Sequence, residues 1–538
     1  MNRIKILALL LLGVTANQFC STASTTTTTT SSVPSTTQER AKVIFFNVGQ
    51  GNCTLIVEPS RPGILIDAGS KKYPENGKQA VINEIVATIN QLVLNKELQI
   101  IISHPDEDHA SIVAGIIQGL RRHRFAFYQP IVGGHTADYH DEKNILNTAI
   151  DELNRLGCRD AASFNDVSEL QILLQQLNPN IQILASNPNA VDNDKSIVVK
   201  YTFPQSGNSF FIGGDASYKI LKNIDPRLMS SAVYLANHHG ADSHGSNCEE
   251  LVSKINPMVG IFSANGLHKH PRTGAVTNIA QSVVSRNLTV PAHLVTYGHT
   301  DADGVLARNG AGQIIKAIIR RTDGFDVAIT NLPIFSTHDS GTVVVHESMT
   351  PENIVGLEVR SLRPELTMSD CYNQALTTNF NNISEIDLSG TGAAHLLLTM
   401  PMLPRALHYL NVAQNGLTKD QIYAILSRIP SIRKPAGSIT WPNWQAASPR
   451  VRLVFADYSY DTQTETNKSM GMNDLNIDEV RKKNPGLLSE DVPQGSISLF
   501  DSGMTKKGLK RWIAGAFNYY RNTEDFKATW YKPESFPR

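Results

Sequence analysis

The 538-residue sequence predicts an α+β fold, and two local patterns predict it. The first is a short apolar run that ends abruptly in glycine, aspartate or histidine, as a buried strand does when its end carries polar groups. Such runs lie at 65–66, before Asp67-Ala68-Gly69, and at 98–102, before His104-Pro105-Asp106-Glu107-Asp108-His109. Two more lie at 209–212, before Gly213-Gly214-Asp215, and at 232–236, before Asn237-His238-His239-Gly240. The second pattern is an apolar helical stretch, 112–120, directly after the densest polar cluster. Strand, loop and helix therefore follow one another through 98–120. Loops held by rigid elements are where reactive groups usually sit.

Length and charge bound the reading. A chain of 538 residues exceeds one hydrophobic core and predicts two to four domains. Hydrophobic residues make up 41% and charged residues 18%, as in an ordinary globular protein. Lys+Arg and Asp+Glu stand at 49 each, so no global field draws nucleic acid. The local run Arg121-Arg122-His123-Arg124 suits a phosphate backbone, or a solvated helix end favoured by the helix dipole.

At the N-terminus, Arg3 and Lys5 precede an apolar run, 6–12, too short to span a bilayer, and Val14-Thr15-Ala16 forms a small-residue cleavage pattern. We expect a signal peptide over 1–16, hence a secreted or periplasmic protein. Six threonines at 25–30 mark 17–40 as a Ser/Thr-rich linker. No later apolar run reaches transmembrane length. The five cysteines, Cys20, Cys53, Cys158, Cys248 and Cys371, show no zinc-ribbon spacing and read as mostly unpaired.

Taken in order, the polar clusters resemble the metallo-β-lactamase superfamily, and within it the hydrolase domain of ComEC-type DNA-uptake proteins. His104-x-Asp106-x-Asp108-His109 resembles the superfamily's His-x-His-x-Asp-His, with aspartate in the second place. Six further segments resemble the remaining motifs in sequence: Phe46 to Asn52, Leu65 to Gly69, Ile212 to Asp215, His238-His239-Gly240, His270-Pro271 and Thr300 to Gly304. The resemblance implies an αββα sandwich over 41–347, with a metal site at one edge of two packed sheets. It leaves 348–538 as a separate C-terminal α/β region.

The resemblance also implies a binuclear centre. His104 and Asp106 would bind one cation, Asp108 and His109 the other, and Asp215 would bridge them. His238 matches the late histidine ligand, and His239 becomes a substrate contact, although the pair is interchangeable. For the histidine between the first motif and Asp215, His135 after Gly133-Gly134 is the candidate and His140 the alternative. Asp67 would orient a loop of the site. Mixed nitrogen and oxygen ligands suit two Zn2+ ions, and the carboxylate of Asp106 keeps Mn2+ open. The residues alone argue the same way: four polar groups behind a buried strand are costly unless something pairs them, and a metal does.

The implied chemistry is attack of metal-held hydroxide on a phosphodiester, with nucleic acid as the leading substrate. Asp108, His239 and His270 are the expected catalytic residues, the two imidazoles as proton donors to the leaving group. A wall- or lipid-linked phosphocholine-type ester is the alternative substrate. A binding protein with a degenerate metal site is the alternative outside enzymes. Ala241 stands where the family's serine is usual, with Ser243 or Ser246 as substitutes.

Beyond 347 the motifs stop. Ile383-x-x-Ile386-Asp387-Leu388 and Leu407-x-x-Leu410-Asn411-Val412 repeat at an offset of 24 residues, within the range of leucine-rich repeats. An ordinary βα domain fits the same residues. The basic and aromatic stretch from Lys506 to Trp512 suits a polyanion or a surface amphipathic helix.

Overall fold

The computed structural model describes residues 40–139, 145–164, 167–286, 288–299, 315–348 and 356–407, with shorter pieces between 409 and 498. The expected signal peptide, most of the linker, His140, the Thr300 to Gly304 motif and the Lys506 to Trp512 stretch lie outside the described residues.

Two sheets build the site. Across the first, the strands run Leu357–Ser361, Val343–Glu347, Lys42–Phe45, Thr54–Val57, Gly63–Ile66, Glu97–Ile102, Ile131–Val132 and Arg159–Asp160. It is antiparallel as far as Gly63–Ile66 and parallel beyond. Across the second, the order is Ile334–Ser336, Val259–Phe262, Val233–Leu235, Ser209–Ile212, Val198–Thr202 and Ile181–Ala185. Its first four strands are mutually parallel.

Period-two alternation sorts the side chains into layers. Val43, Phe45, Ile56, Ile66 and Ile101 of the first sheet share a buried core with Val199, Phe210, Ile212, Leu235 and Ile261 of the second. Their sequence neighbours point the other way. Ile44, Leu55, Leu65 and Ile102 pack against the helices Gly77–Leu92 and Val113–Arg122 through Ile85, Ile89, Ile116 and Leu120. Phe211, Tyr234 and Phe262 pack against the helices Glu249–Ile255 and Thr273–Val284 through Leu251, Val276 and Ile279. The layer order is helix, sheet, sheet, helix, as expected for this part of the chain.

A third sheet departs from expectation. Its order is His293–Gly298, Phe325–Thr330, Ile315–Arg321, Ile383–Asp387, Tyr409–Asn411, Val451–Val454 and Ile497–Ser498. Ile315–Arg321 pairs antiparallel with Ile383–Asp387, so the sheet crosses the boundary expected at 347/348. A further core does the same, joining Leu294, Ile319, Val327 and Ile329 to Cys371, Leu376, Ile386 and Leu410. The strand Leu357–Ser361 also continues the first sheet past that point. The C-terminal region is therefore not separate: apolar faces before residue 347 are covered by residues after it.

Within the third sheet, the two repeated segments pair in parallel, Glu385 opposite Tyr409 and Ile386 opposite Leu410. Asn415 Nδ2 donates to Leu388 O at 2.9 Å and to Val412 O at 3.0 Å. Cys53, Cys158, Cys248 and Cys371 are free thiols, as read from their spacing. Among the described residues, no helix is long and apolar enough to cross a membrane.

Candidate metal centre

The parallel strands of both sheets end on the same edge of the sandwich. Loops beyond the carboxyl ends of such strands are where open α/β sheets place their ligands. Asp67 follows Gly63–Ile66, and Ser103 to His109 follow Glu97–Ile102. Asp215 follows Ser209–Ile212, His238 and His239 follow Val233–Leu235, and Ser263 follows Val259–Phe262. Asp108 and His239, 131 positions apart in sequence, thus meet because their strands stop together.

Close backbone approach holds these loops in place. A Cβ on Gly69 would come within 2.3 Å of His109 N, so only glycine lets the two turns touch. Gly214 has φ +56°, the left-handed conformation that turns Asp215 away from its strand. Asp67, His238 and His239 adopt positive φ of 58°, 49° and 56° without being glycine. Such strain persists where surrounding structure enforces it, and it gathers at functional sites.

One donor atom from each of Asp108, His109, Asp215 and His239 lies within 4.8 Å of the others, and all four residues are buried. His109 Nε2 is 3.1 Å from Asp215 Oδ1, and His239 Nε2 is 3.2 Å from Asp108 Oδ2 and 3.7 Å from Asp215 Oδ2. His104 Nε2 faces the same carboxylates from 3.9 Å at Asp215 and 3.8 Å at Asp106. The other ring nitrogen of each imidazole is engaged. His109 Nδ1 meets Asp67 Oδ2 at 2.9 Å, His239 Nδ1 meets Ser263 O at 2.9 Å, and His104 Nδ1 meets Ser103 Oγ at 3.1 Å. Asp67 is fixed in turn, its Oδ1 accepting from Ser103 N at 2.6 Å. Partners of this kind orient metal-binding histidines.

The donor atoms fit a cation. His104 Nε2 and His109 Nε2 are buried without a hydrogen-bond partner, although Asp215 Oδ1 is close to the second. Buried polar atoms are ordinarily paired, and two imidazoles with two carboxylates are a donor set that zinc or manganese accepts. Electrostatics lean the same way. Burial alone would raise the Asp215 carboxyl, but His109 and His239 outweigh it and hold it well below the usual range. Burial likewise opposes ionisation of Asp108, and the His239 imidazole reverses the effect. His109 is pushed up by Asp215 and Asp67 against its own burial.

Not every expected residue joins. His239 occupies the inner position that His238 was expected to take. His238 sits at the rim, 23% exposed, with Nε2 3.7 Å from Asp215 Oδ2. The exchange follows from the turn: two successive left-handed residues send the second ring inward. Asp106 stands at the start of the helix Glu107–Ala110 but does not cap it, and its carboxylate lies at the rim, 3.7 Å from Lys71 Nζ. His135 does not reach the cluster. Its Nε2 lies 3.3 Å from Asn189 Oδ1, and its backbone N donates to Asp138 Oδ2. His270 is 5.7 Å from His238, ring to ring, with Nδ1 3.4 Å from the Gln50 amide. Burial and the surrounding imidazoles lower it to about 3. That shift favours the neutral ring and works against the proton-donor role expected of it. Arg121 pairs with buried Glu152, which Arg155 also meets, so this arginine anchors a helix and is not a free phosphate contact.

Four supports were missed in the sequence: Ser103, Ser196, Ser263 and Lys71. Ser196 Oγ lies 3.4 Å from His104 Nδ1 and accepts from Asp215 N at 3.1 Å. Lys71 lies 2.9 Å from Asp108 Oδ1. Only Lys71 carried a signal, as a cation four residues after Asp67 in the same turn.

No protein-family model matches the chain, and no curated protein matches it. Among solved structures it is similar to a long-form RNase Z from yeast, at 13% identity and a TM-score of 0.27 over 42% of this chain and 37% of that one. It is also similar to the short form of human tRNase Z, at 13% identity and a TM-score of 0.25 over 41% of this chain and 92% of that one. The chain thus spans well under half the length of the yeast protein. The architecture rests on the sheets and cores described above.

Proposed function

We propose that the chain is a metal-dependent hydrolase of the metallo-β-lactamase type that cleaves a phosphodiester. One observation carries this reading: His104, His109 and His239 each have Nδ1 engaged and turn Nε2 toward the carboxylates of Asp108 and Asp215. A cation held by Asp108, His109, Asp215 and His239 would supply Lewis acidity and acidify a water. The chain's own residues bind and orient. Asp67 and Ser263 O hold the imidazoles in one tautomer. A cleft of about 420 Å³ opens beside Asp215 and His238 and is lined by Asp192, Asp194, Ser217, Lys219 and His244.

Lys219, His238 and His244 suit the anionic oxygens of a phosphodiester, and the motif resemblance makes nucleic acid the leading substrate. The carboxylates of Asp192 and Asp194 favour a second reading, an ester carrying a cationic group such as phosphocholine. Export through a signal peptide over 1–16, to a secreted or periplasmic location, belongs to the same proposal. So does a leucine-rich-repeat-like role for the parallel strands beyond 383, where Asn415 ties adjacent turns together.

The test is elemental analysis of the purified full chain, with cleavage of bis(p-nitrophenyl) phosphate, single-stranded DNA and p-nitrophenyl phosphorylcholine before and after chelation. We expect bound metal and diester cleavage that chelation removes and Mn2+ or Zn2+ restores. A metal-free chain that cleaves none of the three under any added cation sinks the reading. Cleavage of the choline ester alone moves it to the second substrate.

A further inference from the structure

Lys71 reaches the centre from the turn after Gly63–Ile66. Its Nζ lies 2.9 Å from Asp108 Oδ1 and 3.7 Å from Asp106 Oδ2. Asp108 is therefore shared, with Oδ2 facing His239 and Oδ1 facing the ammonium. The turn that presents Lys71 is fixed. Lys71 N donates to Gln50 O at 2.8 Å, and Lys72 O accepts from Gln50 N at 2.9 Å and from Asn265 Nδ2 at 2.6 Å. The Lys71 side chain is 34% exposed and that of Asp106 is 36%, so the pair marks the open side of an otherwise buried cluster.

The two halves of the cluster are unequal in donors. Among the described residues, Asp108, His109, Asp215 and His239 converge as one set. On the other side, His104 Nε2 and Asp106 Oδ2 stand 3.8 Å apart, and His135 is turned away to Asn189. A cation between His104 and Asp106 would share Asp106 Oδ2 with the Lys71 ammonium. Like charges that close, on the edge of a buried site, repel strongly.

We propose that Lys71 stands in for the charge of a second metal. The chain holds one divalent cation tightly, in the Asp108, His109, Asp215 and His239 set, and the ammonium disfavours a second on the His104–Asp106 side. From that open side Lys71 presents its positive charge to an anionic oxygen of the substrate. This rests on the metal-centre reading above and departs from the binuclear centre that the motifs imply.

The experiment is titration of the metal-free full chain with Mn2+ and with Zn2+ by calorimetry, checked by elemental analysis. Wild type takes up one tight equivalent. In Lys71→Met, affinity for a second equivalent rises about tenfold or more, the scale expected when one nearby like charge is removed. Lys71→Arg, which keeps the charge, stays at one equivalent. Where the Met variant does not fold by circular dichroism, Lys71→Gln takes its place. Two tight equivalents in wild type overturn the proposal, as does a neutral variant that gains no affinity for a second ion. No tight binding in wild type overturns the metal-centre reading itself.

Discussion

His109 and His239 hold their outer ring nitrogens 2.9 Å from Asp67 and from Ser263 O, deep in the sandwich. His238, one residue before His239, leaves Nδ1 without a hydrogen-bond partner and stands partly exposed at the rim. Asp106 makes the same contrast with Asp108, one carboxylate open to solvent and the other buried. The inner half of the centre is preorganised, with every ring direction set before anything binds. The outer half is not. Preorganised groups suit a permanent ligand, whereas rim groups suit a molecule that comes and goes. Inner substitutions should therefore cost metal, and outer ones should cost substrate.

The largest expected effect follows from Asp215→Ala. It removes the carboxylate that faces all four imidazoles, so metal content by elemental analysis should fall to background. Full retention of metal would erase the distinction between the halves. Asp67→Ala comes next. It frees the His109 ring and leaves Ser103 N unpaired, and loss of such an orienting partner weakens metal affinity about 10- to 100-fold. Unchanged affinity by competition with a chelator would show that the ring needs no such hold.

His238→Ala should sharpen the comparison from the other side. Metal affinity should stay as in wild type, while kcat/KM on a phosphodiester falls about tenfold, the worth of one hydrogen bond to a charged group. Loss of metal in this variant would move His238 to the inner half. The smallest effect belongs to His135→Ala. Its partners are Asn189 and Asp138 at the surface, so stability should change by less than about 0.5 kcal/mol and metal content not at all. A drop in metal content would restore His135 as a ligand.

The parts of the centre legible in the sequence were those set by strand ends. An apolar run that stops at Asp67, His104 or Asp215 states locally where a buried strand delivers a polar group, and the strands were found there. The order of His238 and His239 was not legible, because it depends on two left-handed backbone conformations that the residue types do not announce. His135 followed an apolar pair just as a ligand would, and its turn closed on Asp138 instead. Ser196 and Ser263 gave no sign, since their partners lie 92 and 24 residues away. The boundary at 347/348 failed for a similar reason. The motifs end there, but the pairing of Ile315–Arg321 with Ile383–Asp387 is a long-range contact that no local pattern encodes.

The edge strand His293–Gly298 of the third sheet runs beside the loop that carries His270, and Gly298 N donates to Pro271 O at 2.8 Å. In the other direction the sheet continues through Ile383–Asp387 to Tyr409–Asn411. For anyone designing fragments or fusions, 347/348 is therefore a poor place to cut. The excised piece would take with it strands that stiffen the support of His270, and it would strip the cover from Leu294, Ile319, Val327 and Ile329. An inactive fragment ending at 347 would report a slackened scaffold with its candidate metal ligands all still in the chain.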